Sequence, residues 1–271
     1  MDYEKSSRTI HRAALEGFSR QALAYGRGRP DYPPALSDWL QRTLRLSAGK
    51  TAVDLGAGTG KFTPLLLQSG ARVVAIEPVE AMRAQLLRSV AGVTALAATA
   101  QSLPLTDASV DGVVCAQAFH WFASLQALRE IGRVLKPGGK LGLVWNVRDE
   151  SVDWVAAITR IIAPYQGDTP RFHSGEWRAL FPNELFSELE QTTLTYQHTG
   201  SPQAVILERV LSVSFVAALP AGQRAQVAAQ LKALIASHPQ LKHRPMIAFP
   251  YLTHAYCSTR APRPTDPSGA G

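Results

Sequence analysis

Apolar residues recur along this chain in two rhythms. From about residue 50 to residue 146, short continuous apolar runs alternate with stretches of three-to-four spacing. The runs at 51–55, 72–77, 93–98, 110–116 and 139–146 predict strands buried on both faces. The stretches at 60–69, 79–90 and 124–135 predict amphipathic helices between them. Strand and helix in alternation imply a parallel sheet covered on both sides. Upstream, Ile10, Ala14, Leu15, Phe18 and Leu23 predict a helix over 9–24, and a second follows over 34–46. Between them, Tyr25 to Pro34 is rich in Gly and Pro and reads as a flexible arm ending in a rigid turn. After Asn146 the rhythm loosens. Helices are expected at 151–163, 174–189, 203–217 and 221–237, a Thr/Tyr-rich strand at 192–198 and a final strand at 246–257.

The domain reading follows that division. Residues 1–34 form an N-terminal helix and arm. Residues 35–257 form one α/β domain, with its core at 50–146, a helical cap inserted within 147–245 and a last strand at 246–257. The Pro/Gly/Ser-rich tail, 258–271, is expected to be disordered.

The first predicted strand ends in Val53-Asp54-Leu55, and glycines follow at alternate positions: Gly56, Gly58 and Gly60, with Ala57 and Thr59 between them. Glycines at a strand-to-helix turn let a ligand lie on the backbone, since no Cβ stands in the way. The turn also aims the first free N–H groups of the helix at that ligand. A nucleotide-type cofactor is therefore expected. Glu77 ends the second strand, where a carboxylate accepts hydrogen bonds from both hydroxyls of a ribose. The third strand runs into Thr99-Ala100-Gln101-Ser102, a loop that offers backbone groups to an adenine edge. The fourth ends in Cys115-Ala-Gln117-Ala118-Phe-His120-Trp-Phe122, which sets polar groups beside the reactive end.

Composition narrows the class. The chain is 46% hydrophobic and 18% charged over 271 residues, as in ordinary globular proteins. No apolar run approaches the ~20 residues of a membrane span, and the N-terminal stretch lacks the apolar core of a secretory signal. A cytoplasmic protein is the expectation. Cys115 and Cys257 read as buried free thiols. The net charge is +7, but its basic residues are scattered rather than striped, which argues for a solvated surface over a nucleic-acid footprint.

The blocks VDLGAGTG, the terminal Glu77, LPLTDASVDGVV and REIGRVLKPGGKL, in this order over about 50–146, together resemble the class I S-adenosylmethionine-dependent methyltransferases. The arm FSRQALAYGRGRPDYP and the segments HWF (120–122) and WNVRD (145–149) look like the branch containing trans-aconitate methyltransferase and related small-molecule methyltransferases. The resemblance implies a Rossmann-like, seven-stranded, mostly parallel sheet with an antiparallel last strand and helices on both faces. It also implies S-adenosylmethionine as cofactor and S-adenosylhomocysteine as product. Gly56, Gly58 and Gly60 would lie under the methionine and ribose, Asp54 would orient the turn and the amino end, and Glu77 would hold the ribose. Pro78 and Met82 would sit beside the adenosine, Thr99, Ala100 and Gln101 would frame the adenine, and Tyr25 and Arg29 would reach the cofactor from the arm. Gln101 departs from the Glu often found at that position, which shifts weight to its backbone neighbours.

A nicotinamide-dependent oxidoreductase competes for the same turn. Its fingerprint is G-x-G-x-x-G, whereas the spacing here is G-x-G-x-G with Lys61 next. An RNA methyltransferase, or a cofactor-binding protein without catalysis, also stays open. Methyl transfer from a sulfonium needs collinear alignment, and a base only when the nucleophile is a poor one. His120 is the candidate base, or else it positions substrate. An ionised carboxylate acceptor would need cations instead, and Arg148 and Arg29 are then the candidates. Trp154, Trp177, Phe172 and Phe181 either roof an apolar pocket or pack the core. No His/Cys/Asp cluster has ligand spacing, so no metal is expected. A small-molecule acceptor and a monomer or homodimer complete the reading.

Overall fold

A computed structural model describes residues 30–167 and 170–262. The predicted helix over 9–24, Tyr25, Arg29 and most of the tail lie outside the described residues. The elements are α1 (Leu36–Arg42), β1 (Thr51–Leu55), α2 (Thr63–Gln68), β2 (Arg72–Ile76), α3 (Glu80–Ser89), β3 (Thr94–Leu96) and β4 (Val110–Ala116). They continue with α4 (Leu125–Val134), β5 (Leu135–Arg148), α5 (Asp153–Ile162), β6 (Glu190–Gly200), α6 (Arg209–Leu211), α7 (Ser214–Ala217), α8 (Ala221–Ser237) and β7 (Ile247–Thr259).

Seven strands form one sheet in the order β3-β2-β1-β4-β5-β7-β6. The pairs from β3 through β5 are parallel, and β7 runs antiparallel to both neighbours. Strand order reverses between β1 and β4, so the carboxyl ends of these two strands flank a crevice. Central strands bury both faces, which explains why Val73-Val74-Ala75-Ile76 reads as an unbroken apolar run and why β1 is apolar from Ala52 to Leu55 apart from the buried Asp54. One core lies between the sheet and α4, around Phe119, Leu128, Ile131, Trp145 and Trp177. A second packs α1 and α2 on the opposite face. A third joins α5, α6, α7 and α8 to the outer part of β7. Ser124 caps α4 by accepting from the Ala127 N–H at 3.2 Å, which is worth about 1 kcal/mol.

Several boundaries differ from expectation. The helix expected from residue 60 begins at Thr63, because Gly60 holds a positive φ of 84° and the turn uses two more residues. The helix expected over 174–189 is two short 3₁₀ turns, Phe172–Ser174 and Glu176–Leu180, followed by extended chain. Gly175 is left-handed between them, and Asn183 Oδ1 accepts from the Leu185 and Phe186 N–H groups, a local bond that competes with helix. The single helix expected over 203–217 is a π turn, Gln203–Glu208, then α6 and α7. The chain breaks at Val213, which is extended, while the Ser212 hydroxyl donates back to the Arg209 carbonyl at 2.7 Å. The strand expected at 139–146 starts earlier, at Leu135, and crosses an irregularity opposite Val110 and Gly112. β7 continues to Thr259, and Arg260 bridges Phe186, so the first residues assigned to the tail belong to the sheet.

Candidate active site

The crevice at the strand carboxyl ends is built around the glycine turn. Gly56, Gly58 and Gly60 have φ of 73°, 58° and 84°, a region that a side chain makes costly. They do different jobs. A Cβ on Gly56 would stand 2.7 Å from the Cβ of Ala118, so β1 and the β4 loop touch there. A Cβ on Gly60 would meet Leu86 at 2.9 Å, so Gly60 serves the turn and the packing of α3. A Cβ on Gly58 would find only the Met82 sulfur, at 4.0 Å; the space over this residue is open to a ligand.

Glu77 locks the turn. The Gly58 N–H donates to its Oε2 at 2.9 Å and the Val79 N–H to its Oε1 at 2.8 Å. The carboxylate is 5% exposed, and burial raises its pKa while these two bonds pull it back. Each oxygen retains a further lone pair for a ligand hydroxyl. Asp54 is buried deeper. Thr63 Oγ1 donates to its Oδ2 at 2.7 Å, and its Oδ1 has no partner among the described residues. Burial pushes this carboxyl up to about 7, with the Thr63 bond opposing and Glu77 adding to the rise. A buried, half-satisfied carboxylate at the base of a glycine turn is suited to a cationic or hydrogen-bonding ligand group.

The loop after β3 is held from α4. Glu130 accepts from the Leu103 N–H at 2.6 Å, while Arg133 pairs with Glu130 and donates to the Leu103 and Leu105 carbonyls. Thr99 and Ser102 close a small bridge, with Ala100 buried and Gln101 partly exposed. The motif REIGRV thus has a mechanical job that the sequence alone did not reveal. Pro78 and Arg83 meet at the other wall, where Arg83 donates to the Glu77 carbonyl at 2.8 Å.

At the end of β4, Gln117 holds a positive φ of 56° and donates through Nε2 to the Asn146 carbonyl at 3.0 Å. His120 lies on the following 3₁₀ turn, and the Trp145 indole N–H donates to its Nδ1 at 3.0 Å. With Nδ1 accepting, the neutral ring carries its proton on Nε2 and presents that nitrogen as a donor.

His120 and Gln117 line a cavity of about 130 Å³, which continues over Arg148, Arg171, Phe172, Arg209 and Tyr251. Phe172 alone of the four aromatic roof candidates lines it. Trp177 stacks on Trp145 at 4.5 Å, Phe181 packs on Phe119, and Trp154 packs on Phe249. Arg148 is where the sequence placed it, at the end of β5. Arg171 and Arg209 were missed; the one available signal was a cation inside the apolar run Val205-Ile206-Leu207-Glu208-Arg209-Val210. Asp31 ties the root of the arm to this region: Lys61 pairs with its carboxylate at 2.5 Å and Asn146 donates to its carbonyl at 2.9 Å. Cys115 and Cys257 are free and buried. Among the described residues, no group of three His, Cys, Asp or Glu could hold a metal, and no helix is long and apolar enough to cross a membrane.

A Rossmann-like sheet whose strand ends carry a glycine turn locked by an acid defines the class of cofactor-dependent transferases and oxidoreductases. Comparison with known proteins resolves it. The family model described as "Methyltransferase domain" matches residues 53–143. An uncharacterized methyltransferase of Mycobacterium tuberculosis is 40% identical, over 90% of this chain and 96% of that protein. An uncharacterized methyltransferase-like protein of Schizosaccharomyces pombe is 35% identical, over 92% of this chain and 97% of its own length. This chain belongs to the methyltransferase family. Among solved structures, a candidate type II methyltransferase from Anaeromyxobacter dehalogenans superposes with a TM-score of 0.59 at 27% identity, covering 86% of this chain and 96% of that one. A Haemonchus contortus phosphoethanolamine N-methyltransferase, solved with S-adenosylhomocysteine, shares the fold with a TM-score of 0.56 at 15% identity, covering 94% of this chain and 61% of that one.

Proposed function

We propose that this protein transfers the methyl group of S-adenosylmethionine to a small organic acceptor, at a carboxylate or hydroxyl oxygen in preference to an activated carbon. The observation that carries the reading is the paired arrangement of Asp54 and Glu77 around an open Gly58. These residues fit the cofactor. The buried Oδ1 of Asp54 would take the ammonium of the methionine portion. Glu77 would take the ribose hydroxyls through its remaining lone pairs, and the Thr99–Gln101 loop would face the adenine.

When bound, S-adenosylmethionine supplies an electrophilic methyl on a sulfonium. The chain's own work is alignment and exclusion of water, which together provide up to ~7–11 kcal/mol in favourable cases. Gln117, held by two hydrogen bonds at the end of β4, and His120, held by Trp145, line the cavity, and Ala118 and Phe122 of the same segment meet the turn at Gly56. His120 donates to the acceptor from Nε2 and steadies it for in-line attack. An oxygen that is already ionised needs no base in this arrangement. The resemblance of the arm and of HWF and WNVRD to the trans-aconitate methyltransferase branch supports a small acceptor.

Calorimetry with the purified chain tests the cofactor half. S-adenosylhomocysteine is expected to bind at micromolar or better affinity, and a nicotinamide dinucleotide not at all. Tighter binding of the dinucleotide overturns the proposal. Transfer of labelled methyl to a panel of organic acids, phenols and alcohols tests the acceptor half.

A further inference from the structure

We infer that Arg148, Arg171 and Arg209, with the Tyr251 hydroxyl, form an anchor for an acceptor that carries at least two negative charges, in the cavity that Gln117 and His120 also line. The inference rests on the methyltransferase reading for the identity of the reaction, but not for the binding site itself.

The three guanidinium groups converge on one cavity from three separate elements. Arg148 ends β5, Arg209 opens α6, and Arg171 precedes the Phe172–Ser174 turn. Arg209 is 8% exposed, and its Nε and Nη1 have no partner among the described residues. The Nε of Arg148 and the hydroxyl of Tyr251 are buried without a partner as well. Arg148 and Tyr251 are ladder partners on β5 and β7, so both face the same side of the sheet. Arg171 lies with its Cζ 4.4 Å from the centre of the Phe215 ring, which covers one face and leaves the donor edge. None of the three forms an ion pair among the described residues.

The local field is strongly positive. Burial lowers Arg148, and Arg209 lowers it further; Arg171 falls to about 10 through burial and then Arg148. His173 is lowered by burial, Arg148 and Arg171, with Glu150 acting against them. Glu150 is the acid nearest in effect, yet it is exposed and accepts from the Thr159 hydroxyl. Charges taken out of water without counter-charges are costly, and a fold keeps them where a ligand supplies the missing sign. Guanidinium forks match carboxylate and phosphate oxygens two at a time, and three forks exceed what one carboxylate satisfies. The anchored part is therefore a dicarboxylate or a phosphate monoester, and the methylated atom lies toward His120.

The test uses the full chain at constant ionic strength, with succinate, citrate, inorganic phosphate and uncharged succinamide as probes, read by calorimetry and by melting temperature. Succinate or citrate binding identifies a polycarboxylate site, and preference for phosphate identifies a phosphate site; both support the anchor. Arg209→Gln and Arg171→Gln are each expected to weaken the favoured anion by about 10- to 100-fold while S-adenosylhomocysteine affinity stays within about 2-fold. Should Arg209→Gln fail to fold, the partly exposed Arg171 carries the test. Equal binding of succinamide and succinate, no anion binding, or anion affinity unchanged in Arg171→Gln overturns the inference. Loss of S-adenosylhomocysteine binding by the unmutated chain, with anion binding intact, instead overturns the methyltransferase reading and leaves the anchor standing.

Discussion

Asp54→Asn is the most informative single change to the cofactor end. Asp54 is 1% exposed, its Oδ1 has no partner among the described residues, and burial lifts its carboxyl from 3.8 to about 7. Between those two values the folded chain keeps the proton and the unfolded chain has lost it. Stability therefore falls as pH rises through that window, because the unfolded state binds fewer protons. At about 1.36 kcal/mol per unit, the loss is roughly 4 kcal/mol above pH 7, of which about 3 kcal/mol falls between about pH 5 and about pH 8.5. An amide does not titrate. The stability of the Asp54→Asn variant relative to the unmutated chain should thus rise by about 3 kcal/mol across that interval, or about 6–12 °C in melting temperature for a domain of this size. Urea or thermal unfolding of both proteins, without ligand, at the two pH values measures it. The amide oxygen keeps the Thr63 bond, so its NH₂ takes the place of the unpartnered oxygen and repels an ammonium. The variant should for that reason bind S-adenosylhomocysteine at least about 10-fold more weakly. An offset between the two proteins that is the same at both pH values would refute the claim that Asp54 is a buried, strained acid.

Three further outcomes are expected. Glu77→Ala removes the acceptor of the Gly58 and Val79 N–H groups and should weaken S-adenosylhomocysteine by about 100-fold by calorimetry, with Glu77→Gln between the two. Trp145→Phe releases His120 Nδ1 and should lower turnover about as far as His120→Ala does, with cofactor affinity unchanged in both; unaltered turnover in either variant removes His120 from the reaction. Gly60→Ala forces a Cβ to 2.9 Å from Leu86 at a φ of 84° and should cost about 2–4 kcal/mol in chemical denaturation, whereas an unchanged midpoint would mean that α3 gives way freely.

The cofactor half was legible because its demands are local. A positive φ at three alternate positions asks for glycine, and an acid at the end of the adjacent strand is one strand spacing away by construction of the fold. The parallel order through β5 followed from unbroken apolar runs, and the antiparallel β7 from the family resemblance. The acceptor half was not legible for the opposite reason. Arg148 was legible as a candidate at the end of its strand, but Arg171 and Arg209 are distant from it in sequence and carry no motif that ties them to it. The fold brings them to one cavity from the end of β5, the start of α6 and the chain before the Phe172–Ser174 turn. The helices expected at 174–189 and 203–217 are broken because Gly175, Asn183 and Ser212 outweigh the apolar spacing there. His120 was legible as a candidate, but the Trp145 bond to its Nδ1 was not, because no spacing rule encodes a contact between two separate elements.

The placement of β7 between β5 and β6 has a consequence for the order of assembly. β6 is made before β7, yet among the described residues β7 is its one neighbour in the sheet. Until residues 247–259 emerge, β6 lacks its native partner, and Arg148 faces no Tyr251. The strands that carry the glycine turn and Glu77 pair among themselves and can close while synthesis continues. A nascent chain would in this way acquire its donor site first and its acceptor pocket last. A truncation before residue 247 would bare the edge of β5, strip Ala255, Tyr256 and Cys257 from the cores on the two faces of the sheet, and leave Arg148 without its ladder partner.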